Sequence, residues 1–540
     1  MFWADEVAAA AQGDQVVNDS KTPSGTIHVG ALRGVVIHDV LTRALRDKGL
    51  PARFLYGIDD LDPMDSASLA SREGVAEHMG RPLADVPAPR GSQHPSWARH
   101  FAASFLETFE RLGIHPEFYW ASEQYRAGLF DGFIREALDS AAEVRRIYRE
   151  VSKVRHGDDW HPVQVICERC GRIGTTLVDD WDGETVHYRC LPDFVSWATG
   201  CGHSGRVSPF GGRAKLPWNL HWVAKWRLFG VTVEAAGKDL STRGGSRDRS
   251  DALARQVFRV EPPRNVPYEF LTIGGRKMKS SAGTGAAAHA MVELLPPELI
   301  RFLMLRYRPQ AAIEFDPSGE TVPRLFDEYD SWVTEAVAGP SEGADPEESA
   351  HRRRVVELSQ LPGHELPTYF LPPFVQVATY SQMPGATPQV VAEQIGRHRG
   401  APLSGAELHE LEARLSTAER WLPEWAPERI RFRVALDDLP EETAALTEQQ
   451  RSYLEKLADT LEAVESWDGE ALQTVIFDGA RGAELSANRA FNAIYTAFLG
   501  RGSGPRAGWL LASLDREFVV DRLRVAAGAG EPAATTGGGQ

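Results

Sequence analysis

Residues 15–30 read Q-V-V-N-D-S-K-T-P-S-G-T-I-H-V-G, and this stretch decides the fold. Its first residues are apolar enough for a buried strand, and the proline and glycine within residues 21–25 predict a turn. Between residues 32 and 45 apolar side chains recur every three or four positions, which predicts a helix that Gly49 ends. A second strand is predicted at residues 53–58. Strand, turn, helix and strand form a βαβ unit, so we expect a parallel α/β domain.

The composition is that of a large protein with buried cores. A chain of 540 residues is several times the length of an ordinary domain, so several domains are expected. The net charge of −16 argues against a protein that binds polyanions through bulk charge, although local basic patches remain compatible with it. The first residues lack the features of a signal peptide, and no apolar run reaches the roughly 18 residues that span a bilayer. We therefore expect a soluble cytoplasmic protein without membrane contact.

The rest of the chain indicates a split α/β domain followed by helices. The βα alternation stops near residue 71, and strand-like segments return at residues 231–233 and 271–273. Amphipathic helices are predicted around residues 454–464 and 491–498. The predicted organisation is a first half of the α/β domain at 1–75, an insertion at 76–214, a second half at 215–290, a helical connecting domain at 291–380, a further helical domain at 381–527 and a disordered tail at 528–540.

The turn after the first strand carries residues suited to a nucleotide. Unhindered backbone at Gly25 and Gly30 lets a phosphate approach, and the start of the following helix offers N–H groups and a positive dipole end. His28 is placed to donate to phosphoryl oxygens as negative charge develops on them. A tight turn with a capping histidine is the alternative. The acidic residues after the second strand (Asp59, Asp60, Asp62 and Asp65) are expected to form a solvated loop, with a divalent-cation site as the alternative.

Residues 274–283, G-G-R-K-M-K-S-S-A-G, combine glycines with three cations and two hydroxyls. Such a basic segment is suited to neutralising a triphosphate and its leaving pyrophosphate. A solvated basic turn is the alternative interpretation.

Four cysteines in residues 167–203 predict a structural metal site. Cys167 and Cys170 form a C-x₂-C pair, and Cys190 and Cys201 follow, with His203 as an alternative fourth ligand. Soft ligands at this spacing are typical of zinc, and a closed four-ligand site is structural and does not activate water. Free buried thiols and redox chemistry are the alternatives.

Taken together, the H-x-G segment and the K-M-x-x-S segment some 250 residues later resemble the HIGH and KMSKS signatures of class I aminoacyl-tRNA synthetases. Within that class the chain resembles the class I lysyl-tRNA synthetases over most of its length. Further matching segments are residues 3–5 (W-A-D), 215–218 (K-L-P-W) with Trp222 and Trp226, 237–239 (G-K-D), 267–269 (P-Y-E), 491–495 (F-N-A-I-Y) and 504–523.

This resemblance implies a Rossmann-like α/β catalytic domain split by a zinc-bearing insertion, with an all-α anticodon-binding region at 381–527. It implies that lysine reacts with ATP and Mg²⁺ to lysyl-adenylate, and that the lysyl group passes to tRNA(Lys). A monomer with a structural zinc ion is the expected assembly.

The resemblance also assigns roles to individual residues. Lysine is expected to contact Thr22, Trp218 and Tyr268. Asp239 is expected near the ribose or the substrate amine. The residues expected to act in catalysis are His28, Lys277, Lys279 and Ser280. The residues expected to bind ATP are Pro23, Ser24, Gly25, His28, Gly30, Gly237, Asp239, Lys277 and Met278.

The chain departs from the family pattern at several of these segments. Lys279 replaces a serine and Ala282 a lysine of the basic segment, and Leu240 stands where a histidine usually follows G-K-D. Asn219 and His221 replace a basic and an acidic residue between the tryptophans. Two further interpretations therefore stay open: a ligase that adenylates an amino acid for an acceptor other than tRNA, and a non-catalytic tRNA-binding protein.

Overall fold

The computed structural model describes residues 1–65, 74–273 and 287–528. It consists of two compact units. The first contains Met1–Phe315 and Trp332–Leu366, and the second contains Asp316–Ser331 and Pro367–Gln540. No helix of the described residues is both long enough and apolar enough to cross a membrane.

The first unit is built on a parallel sheet with the strand order β1-β2-β3, formed by Gln15–Lys21, Ala52–Ile58 and Glu117–Trp120. Strand β1 pairs with β2 from Gln15↔Ala52 to Lys21↔Ile58, and helix α2 (Gly30–Asp47) connects them. The predicted βαβ unit is therefore confirmed. Strand β3 was not predicted, and it extends this sheet beyond residue 75, where we expected the first half of the domain to end.

After the insertion, the chain returns to the parallel arrangement beside β1. Val233 forms parallel bridges to Val17 and to Arg264, so the predicted strand at 231–233 is present as a single bridging residue. Two short parallel pairs follow: β9 (Ala236–Gly237) with β10 (Pro267–Tyr268), and β11 (Leu271–Ile273) with β12 (Ile313–Phe315). The carboxyl ends of β1 and these segments meet at one edge, which is where ligands bind in open α/β sheets.

Between the two halves of the α/β domain lie two short antiparallel sheets. Their strands are separated in the sequence by turns that contain glycine. Strands β5, β6 and β7 (Thr176–Trp181, Val186–Cys190 and Ser204–Val207) form one, and β4 with β8 (Gln164–Val165 and Ala214–Lys215) forms the other. The other helices that begin in this unit are α1 Trp3–Ala9, α3 Trp97–Arg111, α4 Ala121–Arg126, α5 Asp131–Asp139, α6 Ala141–Ser152, α7 Trp218–Phe229, α8 Ser246–Gln256, α9 Ala288–Leu294, α10 Pro297–Leu305 and α12 Pro346–Ser359, with single 3₁₀ turns at Ala76–His78 and Leu83–Asp85.

The second unit is helical, as the sequence predicts. Its helices are α13 Phe374–Tyr380, α14 Pro388–Arg399, α15 Gly405–Glu424, α16 Glu448–Glu462, α17 Gly469–Gly482, α18 Ala487–Leu499, α19 Ala507–Ala512 and α20 Arg516–Gly528, with a 3₁₀ turn at Glu441–Ala445; helix α11 (Thr321–Ala338) crosses the unit boundary. Capping boxes start α15 at Ser404 and α16 at Thr447. Gly528 ends α20, and the remaining residues of the predicted tail lie outside the described ranges.

Candidate active site

A cavity of about 540 Å³ opens at the carboxyl edge of the strands in the first unit. The turn after β1, the start of α2, the start of α7 and the segments around β9, β10 and β11 surround it. The polar residues that line it are Asp19, Ser20, Lys21, Thr22, His28, Tyr56, Asp59, Trp218, Trp222, Glu234, Asp239, Tyr268 and Thr272.

The conformation of the loop before α2 fixes which ring nitrogen of His28 carries the proton. The N–H of Gly30 donates to Nδ1 of His28 at 3.1 Å, so the proton of the neutral ring is on Nε2. That nitrogen has no partner among residues 1–65, 74–273 and 287–528, and it can donate to a ligand. Partial burial, together with Lys21, lowers the pKa of His28 below its usual value of 6.5, which favours this neutral ring. A Cβ added to Gly30 would lie 3.1 Å from the carbonyl oxygen of Leu271, so only glycine fits without displacement.

Residues on both sides of the basic segment 274–286 lie against this loop. Ala287 forms an antiparallel bridge with His28, and the Ala288 N–H donates to the carbonyl of Ile27. On the other side, Leu271 approaches Gly30. The predicted phosphate-binding residues Lys277, Met278, Lys279 and Ser280 lie outside the described residues, so their roles stay predictions.

A buried ion pair holds the side chain of Thr22 in place. Its hydroxyl donates to Asp62 at 2.6 Å, and the other carboxylate oxygen of Asp62 lies 2.6 Å from the ammonium of Lys215. Lys215 is almost fully buried, so this pair anchors the turn after β1 to strand β8. The side chain at position 22 therefore has one orientation at the cavity wall.

Aromatic side chains form one wall of the cavity. Trp218 is partly exposed at the start of α7, and its ring lies 5.1 Å from that of Trp222, one turn further along the same face. Tyr268 also lines the cavity, and its hydroxyl has a pKa raised by burial and by the nearby Asp19 carboxylate. That hydroxyl consequently stays protonated at neutral pH. Flat apolar surfaces of this kind suit the methylene groups of a long side chain.

The acidic residues after β2 are buried, and the expected solvated loop is wrong for Asp59 and Asp60. Asp59 accepts hydrogen bonds from Lys225 at 3.2 Å to each oxygen and faces Nε2 of His221 at 3.1 Å. Asp60 accepts from the backbone and hydroxyl of Ser122. Both carboxylates are only 2% exposed, because α7 and α4 close over the strand end and supply their partners.

This cluster has a definite charge state. Burial alone would raise the pKa of Asp59, but Lys225 and His221 outweigh burial and lower that pKa well below its ordinary value. His221 is neutral, because burial and the cations Lys215 and Lys225 lower its pKa to about 4. Lys225 also donates to the hydroxyl of Ser20 at 2.7 Å, which links the cluster to the cavity wall.

A second buried carboxylate, Glu234, is held by neutral donors. The indole N–H groups of Trp222 and Trp226 donate to its two oxygens at 2.8 and 2.6 Å, and Asn18 donates at 3.2 Å. Burial raises the pKa of this carboxyl. Two of the three tryptophans that the sequence singled out therefore orient an acid, in addition to forming the wall.

The structure brings together most of the predicted residues that it describes. Lining the cavity are Thr22, His28, Gly30, Trp218, Gly237, Asp239 and Tyr268. Pro23, Ser24 and Gly25 belong to the same loop without lining the cavity; the Ser24 carbonyl accepts from the indole of Trp97 at 3.0 Å. Sequence reasoning missed Asp19, Ser20, Tyr56 and Glu234 as lining residues. The strand-end position of Asp19 and Ser20, two residues before the turn, was the available signal.

The cysteines form a separate cluster in the insertion. The Sγ atoms of Cys167, Cys170, Cys190 and Cys201 all lie within 4.8 Å of one another, and two of the pairs are 3.7 Å apart. A zinc ion with four bonds of ~2.3 Å separates its sulfur ligands by roughly 3.8 Å. The donor set and its dimensions therefore fit zinc. His203 is outside this set, and its ring packs against Tyr188.

Comparison with known families and relatives agrees with this architecture. The profile described as "tRNA synthetases class I (K)" matches residues 1–362, and the profile "Anticodon binding domain" matches residues 408–527. Lysine--tRNA ligase 1 of Methanosarcina acetivorans is 36% identical, with 97% of this chain and 98% of that protein covered. Lysine--tRNA ligase of Archaeoglobus fulgidus is 34% identical, with 97% of this chain and 100% of that protein covered. A solved glutamate tRNA ligase from Elizabethkingia meningosepticum aligns with 95% of this chain and 99% of its own, at 12% identity and a TM-score of 0.44.

An α/β domain in which helix α2 starts after a histidine loop, together with a match to an anticodon-binding domain, defines the class I aminoacyl-tRNA synthetases. The profile match extends over most of the chain, and relatives align with nearly all of it. The chain belongs to the family of class I (K) tRNA synthetases, in which K is the one-letter symbol for lysine.

Proposed function

We propose that the chain is a lysine–tRNA ligase, an enzyme that activates lysine with ATP and transfers it to tRNA(Lys). One observation carries the proposal: a single cavity is lined by the loop of His28, by an aromatic wall and by buried acids. It occurs in a chain whose lysine–tRNA ligase relatives align with 97% of its length.

In the first step the lysine carboxylate attacks the α-phosphorus of ATP, and pyrophosphate leaves. ATP reacts as its magnesium complex, which neutralises part of the phosphate charge. The chain contributes position and electrostatics and forms no covalent bond. His28 donates from Nε2 to the phosphates, and the N–H groups at the start of α2 face them. Lys277 and Lys279 neutralise charge on the leaving group, and Ser280 donates a hydrogen bond to it.

In the second step a ribose hydroxyl at the 3′ end of tRNA attacks the acyl carbonyl, and AMP leaves. The helical unit containing the profile match at 408–527 binds the anticodon. Lysine lies with its methylene groups along Trp218 and near Thr22 and Tyr268. Asp239 lies near the ribose or the α-amine.

Charging of total tRNA with labelled lysine, resolved on an acid gel with ATP and Mg²⁺ present, tests the proposal. A lysine-labelled tRNA band is expected. Pyrophosphate exchange without a band would favour a ligase that uses another acceptor. Folded protein that gives neither would favour a non-catalytic tRNA-binding protein.

The proposal includes one structural zinc ion held by Cys167, Cys170, Cys190 and Cys201. It would join the segment after strand β4 to the end of β6 and to the loop before β7, without taking part in the reaction. We also infer a monomer that acts in the cytoplasm. Metal analysis of the purified chain and its mass in solution test these two points.

A further inference from the structure

Two carboxylates in the cavity have no cationic partner among residues 1–65, 74–273 and 287–528. Asp19 ends near the turn after β1, and Glu234 follows the neighbouring bridge residue Val233. Asp19 accepts the backbone N–H of Ser20 at 2.8 Å and lies 3.5 Å from Nδ1 of His38. Lys21 also lines the cavity, but it makes no ion pair with either acid in the described structure.

His38 does not neutralise Asp19. Its Nε2 accepts the backbone N–H of Ala235 at 2.9 Å, so that nitrogen carries no proton. Its Nδ1–H donates to the carbonyl of Gly34 at 2.7 Å, and the ring is fully buried. A ring with both nitrogens committed in this way is the neutral tautomer. It orients Asp19 and adds no positive charge.

Glu234 is likewise left with its charge. All of its hydrogen-bond donors are neutral, and the nearby cation Lys225 is bound to Asp59 and Ser20. A buried carboxylate without a cation is costly unless a ligand supplies one. Both acids act on each other electrostatically, since Asp19 contributes to raising the pKa of Glu234.

Gly34 on α2 keeps open the space at Asp19. A Cβ at this position would lie 2.8 Å from the Tyr268 hydroxyl and 3.3 Å from Oδ2 of Asp19. The two groups thus converge on one point of the cavity. The Tyr268 hydroxyl makes no hydrogen bond within the described residues, so it is available to a ligand.

We propose that Asp19, supported by Glu234, binds the side-chain ammonium of the amino acid and makes the enzyme selective for a terminal cationic amine. The inference rests on the proposed function and deepens it. Trp218 and Trp222 line the same cavity and fit the methylene chain that precedes such an ammonium. Tyr268 adds a neutral hydroxyl beside the carboxylate. A primary ammonium has three donors, which matches these acceptors.

The test compares lysine with norleucine, which has the same length and α-amine but no side-chain ammonium. In pyrophosphate exchange the wild-type chain should prefer lysine by at least about 100-fold in kcat/KM, because a site with buried acids rejects a ligand that leaves them unpaired. Asp19→Asn should lower kcat/KM for lysine about 30-fold or more, mainly through KM, and should leave norleucine nearly unchanged. Asp14→Asn is the matched control, because Asp14 is exposed just before the opposite end of β1.

Calorimetric titration with lysine in the absence of ATP separates this inference from the proposed reaction. Weaker lysine binding by Asp19→Asn than by Asp14→Asn supports the ammonium site even if exchange fails, in which case the reaction alone is refuted. Three results overturn the inference: wild-type use of norleucine equal to that of lysine, equal lysine affinity in the two variants, or equal loss for both amino acids. The last would assign Asp19 to the α-amine.

Discussion

Replacing Lys225 is the most direct test of the buried cluster that it forms with Asp59 and His221. Lys225 lies 3.2 Å from both oxygens of Asp59, and the two side chains are about 2% and 3% exposed. Breaking a buried pair by removing one partner typically destabilises a protein by ~3–5 kcal/mol, because an uncompensated charge remains. We therefore expect Lys225→Met to lower the free energy of unfolding by that amount at pH 7.

The pH dependence gives the sign of the effect. In the wild type the depressed pKa of Asp59 contributes stability above the unfolded value of about 3.9, and this contribution is lost as the pH falls. Without Lys225, burial raises the pKa of Asp59, so the variant takes up a proton as the pH falls. The stability difference from the wild type should therefore shrink between pH 8 and pH 5.

Urea unfolding followed by tryptophan fluorescence measures this difference, with Trp222 and Trp226 near the cluster as reporters. The double variant Asp59→Asn with Lys225→Met is the matched control, because it also removes the carboxylate charge that the single variant leaves without a partner. It should be more stable than Lys225→Met alone. A single variant within about 1 kcal/mol of the wild type, or a double variant that is less stable than the single one, would refute the reasoning.

The phosphate-binding groups and the cysteine cluster give three further expected outcomes. His28→Ala should slow lysine-dependent pyrophosphate exchange by about two to three powers of ten, because one donor to the phosphates is lost. Lys279→Ala should slow the same exchange by about one to three powers of ten, since Ala282 cannot supply the family's later lysine. The purified chain should hold about one zinc equivalent, and Cys170→Ser or chelation should lower its melting temperature. A near-neutral Lys279→Ala, a His28→Ala effect confined to KM, or melting indifferent to chelation would contradict the respective prediction.

Local sequence patterns were sufficient to predict the elements around the loop between β1 and α2. Strands β1 and β2, helix α2 and the position of His28 follow from residues close together in the chain. Strand β3 was missed because four residues, E-F-Y-W, give too short a pattern beside a long helical stripe.

The acids of the cavity could not be predicted, because their partners are distant in sequence. Asp59 meets Lys225 across 166 positions, and Asn18 meets Glu234 across 216. No spacing rule joins such residues, so an acidic cluster after a strand was interpreted as solvated. The same distance hides why His221 replaces an acid: it faces Asp59, where a second carboxylate would repel the first.

The segment that carries the cysteines, residues 167–201, is connected to the cavity by backbone hydrogen bonds. The N–H groups of Ile173 and Gly174 donate to the carbonyl of Gly80, whose own N–H donates to Met64, and Leu83 donates to Asp62, the partner of Thr22. Segments joined in this way tend to open as one cooperative unit. In native-state hydrogen exchange the amides of Ile173, Gly80 and Leu83 would then share one opening free energy. Metal occupancy of the cysteine cluster, far from the reaction, would thereby set how often the segment around Asp62, which holds Thr22, opens to water.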